Sequence, residues 1–135
     1  MVNNKSKQKA INFWLACTQD NLEAAKAMFV SGKWSLCMFM CQQTVEALLK
    51  AVFIVNKGSR PEYIHKLPNL LQLTGITVPK SIDTKILRID AHYIKARYKE
   101  DRFDPRIYNK KNAKNLLKDT EDVLQWFIRN LKLKI

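Results

Sequence analysis

Apolar side chains return along this chain at three- and four-residue steps, the period of a helix, and hardly anywhere at the two-residue period of a strand. Ile11, Trp14, Leu15, Leu22, Ala25, Met28 and Phe29 trace one stripe while Asn12, Glu23 and Lys26 take the opposite side, which predicts a first helix over residues 9–30. Gly32 is placed to supply the left-handed residue that closes it. A second helix is expected over residues 34–56, closed by Gly58. It is apolar around most of its circumference, which marks the central and most buried element.

That helix carries one polar exception. Gln42, Glu46 and Lys50 stand at i, i+4 and i+8, with Gln43 beside them. On an exposed helix a Glu46–Lys50 pair is worth only ~0.2–0.5 kcal/mol, too little to explain the stripe. Two readings stand: a solvent-facing strip, or a groove or dimer contact for a ligand or a second subunit.

Residues 59–79 read as a loop holding one short helix, with Pro68 in its first turn, Gly75 at its end and Leu67, Leu70, Leu71 and Leu73 as anchors. Ser81 is the expected N-cap of a fourth helix, with Asp83 well placed near its positive end. Its inward set is Ile82, Ile86, Leu87, Ile89, Tyr93 and Ile94, and its outward set Lys85, Arg88 and Lys95; it dissolves into a charged, irregular stretch over 97–105. A last helix is expected over 110–131, where Ala113, Leu116, Leu117, Val123, Leu124, Phe127, Ile128 and Leu131 form a continuous stripe. The fold class expected is therefore all-α: an up-and-down bundle of about five helices, four long and one short, in a single domain over 1–135.

Composition agrees with packed helices, since 47% of residues are apolar and only three Gly and four Pro are present for turns. No apolar run is expected to reach the roughly 20 residues of a membrane span, and the polar start lacks the apolar stretch of a signal peptide. The expected location is the cytoplasm, with no membrane partner. Cys17, Cys37 and Cys41 fall inside apolar helical patterns; an odd count without a CxxC pair argues against a disulfide framework. With only His65 and His92 to add, no metal site and no cofactor are expected.

Charge changes the picture most. The formal net charge is +12, and residues 80–111 alone hold ten Lys and Arg against five Asp and Glu. Within that segment Tyr93, Tyr98 and Phe103 interleave with Lys95, Arg97, Lys99 and Arg102, a pattern suited to stacking bases and holding phosphates. The plainer reading places these aromatics in the core. His65 reads first as a structural residue capping the short helix, and His92 as a surface or partly buried histidine.

Trp14, Asp20 and Ala25, then Gly32 and Trp34, lead into a QQxxExxLKA helix formed by Gln42, Gln43, Glu46, Leu49, Lys50 and Ala51. An HxL follows at His65 and Leu67, and a YIxxRY at Tyr93, Ile94, Arg97 and Tyr98. In this combination and order, over nearly its whole length, the chain resembles the HEPN domain (higher eukaryotes and prokaryotes nucleotide-binding). The resemblance implies a dimer of up-and-down bundles, often encoded beside a minimal nucleotidyltransferase as a toxin–antitoxin pair. It also implies that active relatives are metal-independent ribonucleases, with an Arg followed after four to six residues by a His at the end of the fourth helix.

This chain departs from that motif. Counting from Arg97, the positions open to the His hold Arg102, Phe103 and Asp104, none of which replaces imidazole at neutral pH. Arg60 and His65 match the spacing, but in the segment before the short helix. The function expected is a non-catalytic binding module, dimeric and associated with a nucleotidyltransferase partner, taking nucleotide or RNA phosphate through Lys95, Arg97, Tyr98 and Arg102. The alternative is a divergent ribonuclease toxin using another base, such as Glu46, Glu100, Asp101 or a repositioned histidine. Dimerisation is expected on a second ground: the second helix has more apolar surface than one bundle face covers.

Overall fold

The computed structural model describes residues 3–97 and 100–135, and every regular element among them is helical. Helix α1 spans Asn4–Val30, α2 Trp34–Lys57, α3 Leu67–Thr74, α4 Lys80–Asp90 and α5 Lys110–Leu131, with one 3₁₀ turn at Glu100–Phe103. α1 begins before the apolar stripe does, because the side chain of Asn3 accepts the Ser6 N–H at 2.8 Å and caps a polar first turn.

Only residues 31–33 separate α1 from α2. Gly32, at φ 72°, lets the chain reverse there, and the Lys33 N–H closes back on the Met28 carbonyl at 2.9 Å. The resulting antiparallel pair lays α2 along α1. α3, α4 and α5 close over the rest of α2, so that Cys37, Cys41, Val45, Leu48, Leu49, Val52 and Ile54 are all buried. Length and hydropathy alone would let α2 cross a membrane, contrary to the sequence expectation, but 72% of its most apolar window is buried inside the bundle. The second ground for a dimer therefore fails, because a single chain already covers this helix.

α5 packs as expected through Ala113, Leu116, Leu117, Val123, Leu124 and Phe127. α4 does not. Its N-cap is Pro79, with Ser81 inside the first turn, and the helix stops at Asp90. Ile82, Ile86 and Ile89 share the inward face at i, i+4 and i+7. Leu87, rotated about 100° from Ile86, is 52% exposed, and Ile94, beyond the helix end, is 60% exposed, so neither belongs to the core.

Two polar contacts fix where α4 ends. Asp90 turns its carboxylate to the Leu67 N–H at 2.8 Å, capping α3 from a distance. His92 turns inward, its Nδ1 2.9 Å from the Tyr108 hydroxyl. Residues 91–97 then continue as turns that set Tyr93 against Phe39 of α2 and His65 of the loop that precedes α3.

Candidate functional site

The polar stripe of α2 does not face solvent. Gln42, Glu46 and Lys50 are all buried, which removes the first of the two readings above. Burying an ion pair is costly unless its remaining hydrogen-bonding capacity is met. Here Lys50 Nζ lies 3.0 Å from Glu46 Oε2, and Glu46 Oε1 receives Gln42 Nε2 at 3.3 Å and His65 Nδ1 at 3.1 Å. Gln42 Nε2 also donates to the His65 carbonyl at 3.1 Å, and Gln43 Nε2 to Gln42 Oε1 at 2.7 Å. The ammonium of Lys50 lies 4.8 Å from the Trp14 ring centroid and 5.8 Å from that of Tyr63.

His65 is thus held by its backbone and its ring together. It does not cap α3, a role Asp90 takes. Its imidazole stacks on Tyr93, with centroids 4.8 Å apart and planes 13° apart, and Tyr63 meets it edge-on at 4.7 Å. The Arg97 guanidinium lies 4.6 Å from the same Tyr93 ring and 4.8 Å from Phe39, while its Nε donates to the Tyr93 carbonyl at 2.9 Å. Three segments distant in sequence therefore converge: the Phe39–Lys50 face of α2, the loop at 63–65 and the turns leaving α4. The outer rim is open, with Tyr63 89% exposed and the His65 side chain 29% exposed.

The basic residues expected to act together are dispersed. Arg97 belongs to the aromatic cluster just described. Lys95 lines a cavity of about 670 Å³ on the other side of the α4 exit, with Arg88, His92, Arg106 and Lys118. Three of that cavity's cations are paired with acids, Arg88 with Asp119 at 3.0 Å, Arg106 with Asp104 at 2.9 Å and Lys118 with Asp122 at 3.7 Å. Arg102 lines a third space of about 330 Å³ with Lys33, Trp34 and Ser35, its guanidinium 4.9 Å from the Phe103 ring. Tyr98 and Lys99 lie outside the described residues. Phe103 is exposed, and Tyr93 is half-buried in the cluster.

Other reactive groups are quiet. Burial, then Lys95, lowers the His92 pKa to about 4, so this ring is neutral at physiological pH. The Cys17 thiol is pushed up, first by burial and then by Asp20. Cys41 is pushed up further, by its contact with Cys37 and by burial. Cys37 is lowered by that same contact with Cys41, but its side chain is fully buried, so none of the three thiols is presented as a nucleophile. Among the described residues no three His, Cys, Asp or Glu side chains gather as a metal ion would require.

The model of the HEPN domain matches residues 11–131. The chain belongs to the HEPN domain family. The HEPN fold is also that of two solved structures. The protein TT1696 of Thermus thermophilus is 24% identical, with a TM-score of 0.74 over 85% of this chain and 93% of that one. ST0689, described as an archaeal HEPN homologue, is 20% identical, with a TM-score of 0.70 over 86% of this chain and 93% of its own. No curated protein matches the chain in sequence.

Within this HEPN chain, Phe39 and Tyr63 are the site residues that the sequence did not single out. A signal existed for both. Tyr63 stands two positions before His65 in the short segment between Pro61 and Pro68, where a tight turn closed by the Ile64 N–H on the Glu62 carbonyl at 2.9 Å sets its ring against the imidazole. Phe39 precedes Gln42 and Glu46 by three and seven positions, which is the same helix face.

Proposed function

We propose that the protein is a non-catalytic HEPN binding module that takes the phosphate of a nucleotide or single-stranded RNA at the surface built by Arg97, Tyr93, His65 and Tyr63. One observation carries this reading. A guanidinium is fixed against two aromatic faces beside a rim of exposed ring, the combination that holds a phosphate while leaving a ring free to stack a base. The +12 net charge adds a long-range attraction for polyanions.

Binding fits better than cleavage. Strand scission moves one proton from the attacking hydroxyl and another to the leaving oxygen. Of the two imidazoles only His65 is at hand, since His92 is engaged with Tyr108, and the Glu46 carboxylate beside His65 is already tied to Lys50, Gln42 and that ring. A dimer, and association with a minimal nucleotidyltransferase, rest on the family resemblance. The apolar side chains Phe13, Leu87, Ile94 and Phe103, left in solvent by one chain, are compatible with a second copy.

The test is anisotropy of a labelled single-stranded RNA over a salt series. Each phosphate neutralised contributes about −0.7 to the slope of log affinity against log salt. Arg97→Ala is expected to lower affinity and flatten the slope by about one contact, and Arg102→Ala to do less. Affinity indifferent to salt and to Arg97→Ala would refute the reading.

A further inference from the structure

We infer that the cavity between the α4 exit and α5 is a second binding site, one that takes a small organic carboxylate: the anionic head meets His92 Nε2 and Lys95, and an apolar body lies on Met38, Ile107 and Leu116. The site is separate from the Arg97 cluster and does not rest on the phosphate-binding reading.

The argument begins with the floor of the cavity, which encloses about 670 Å³, within the usual range of small-molecule sites. His92 lines it although the residue is only 8% exposed, and its Nδ1 lies 2.9 Å from the Tyr108 hydroxyl. That hydroxyl is itself buried and has no other partner among the described residues, so its hydrogen goes to Nδ1. Burial keeps the ring neutral, and a neutral imidazole that accepts at Nδ1 carries its proton on Nε2. Nε2 meets no protein partner among the described residues, and it is not a buried orphan either, so its N–H opens into the cavity.

Charge then selects the head group. Arg88, Arg106 and Lys118 line the walls, yet each is bound to an acid, at 3.0, 2.9 and 3.7 Å. Lys95 has no such partner among the described residues, and it stands close enough to His92 to oppose protonation of that ring. One uncompensated cation beside one N–H donor matches a single negative charge spread over two oxygens, which is a carboxylate. A phosphate monoester carries close to two charges at neutral pH and would bring one of them without a counter-charge. The remaining walls describe the body. Met38 and Leu116 are buried and Ile107 is half-buried beside them, while Asn112 commits its amide N–H to the Arg106 and Ile107 carbonyls, so this surface suits hydrocarbon better than sugar. Lys95 and Asn115, both exposed, mark the mouth through which a ligand enters.

The experiment titrates the full-length protein with 2-naphthoate and with 2-naphthamide, its neutral analogue, and follows the His92 ring and the Lys95 side chain by NMR. The carboxylate is expected to bind in roughly the millimolar range, as a ligand of this size can. It should shift both groups and bind about three- to tenfold tighter than the amide, the range of one charge-assisted contact at a partly open rim. Lys95→Met is expected to bring the two ligands together while the apolar body still binds. Equal affinity of the wild-type protein for acid and amide would overturn the inference without needing any variant to fold, and so would a titration that leaves His92 and Lys95 unmoved. Tighter binding of 2-naphthyl phosphate than of 2-naphthoate at the same two groups would overturn it as well. None of these outcomes bears on the Arg97 cluster, whose rings answer to RNA and not to these ligands.

Discussion

His65 Nδ1 lies 3.1 Å from Oε1 of Glu46 although 19 positions separate the two residues. The contact joins the most buried helix of the bundle to the loop after it. With the Gln42 bond to the His65 carbonyl, it fixes a loop that would otherwise have few polar anchors. Stability and recognition consequently meet at one carboxylate.

Removing that carboxylate should cost far more than a surface ion pair would. Glu46→Ala leaves the Lys50 ammonium buried with no counter-charge, and breaking a buried pair on one side typically costs ~3–5 kcal/mol. Glu46→Ala combined with Lys50→Met should recover a large part of that loss. Denaturant titration of the wild type, the single variant and the double variant checks both. A loss under about 1 kcal/mol for Glu46→Ala would mean that the pair is solvated as surface pairs are.

Stability should depend on pH through His92. Its folded pKa, about 4, lies below the ordinary 6.5, so between those values the unfolded chain binds the proton that the folded chain refuses. The contribution is fully present above pH 6.5 and is lost as pH falls toward 4, for a total of roughly 2–4 kcal/mol. Asp122 and Asp104, each held below the ordinary 3.8 chiefly by a bond to Lys85 and to Arg106 respectively, lose their contributions mostly below about pH 4. Melting temperature measured across the window should fall with pH in the wild type. The His92→Asn variant should show a flatter profile, and identical profiles would contradict the assignment.

Most of the bundle is written in the three- and four-residue recurrence of apolar side chains, and α2, α3 and α5 lie where that recurrence places them. α4 is the exception, for a reason that periodicity does not carry. Ile94 reads as inward only for a helix that runs on, and this one ends where Asp90 is drawn to the Leu67 amide, whereas Leu87 lies within the helix but off the face that Ile82, Ile86 and Ile89 share. The site was legible only in part. Arg97, Glu46, Lys50 and His65 are all visible as motif residues, but helix spacing alone presents Glu46 and Lys50 as a surface pair. Their burial depends on a loop folding over them, and no local pattern encodes that. Grouping Lys95 and Arg102 with Arg97 rests on adjacency in sequence, which the turns after α4 undo by sending the three side chains to different places.

The isolated protein is expected to leave RNA intact. Loss of a positioned acid or base typically removes ~10²–10⁴ of rate, and one imidazole here would have to serve both proton transfers. Purified wild type, Arg97→Ala and His65→Ala should give indistinguishable product patterns on a mixed-sequence RNA with chelator present. Robust wild-type cleavage abolished by either substitution would instead establish the divergent ribonuclease, with His65 as its repositioned base.

The central claim concerns place: phosphate-bearing ligands meet the protein at the Arg97 cluster. Two-dimensional NMR of the side chains during titration with a short single-stranded RNA tests it directly. The account predicts the largest shifts at the Tyr63, His65 and Tyr93 rings and at Arg97 Nε–H, with Asn115 and Lys118 on α5 unmoved. Shifts confined to the cavity lined by Arg88, Lys95, Arg106 and Lys118, with the Tyr93 and His65 rings unchanged at saturation, would contradict it.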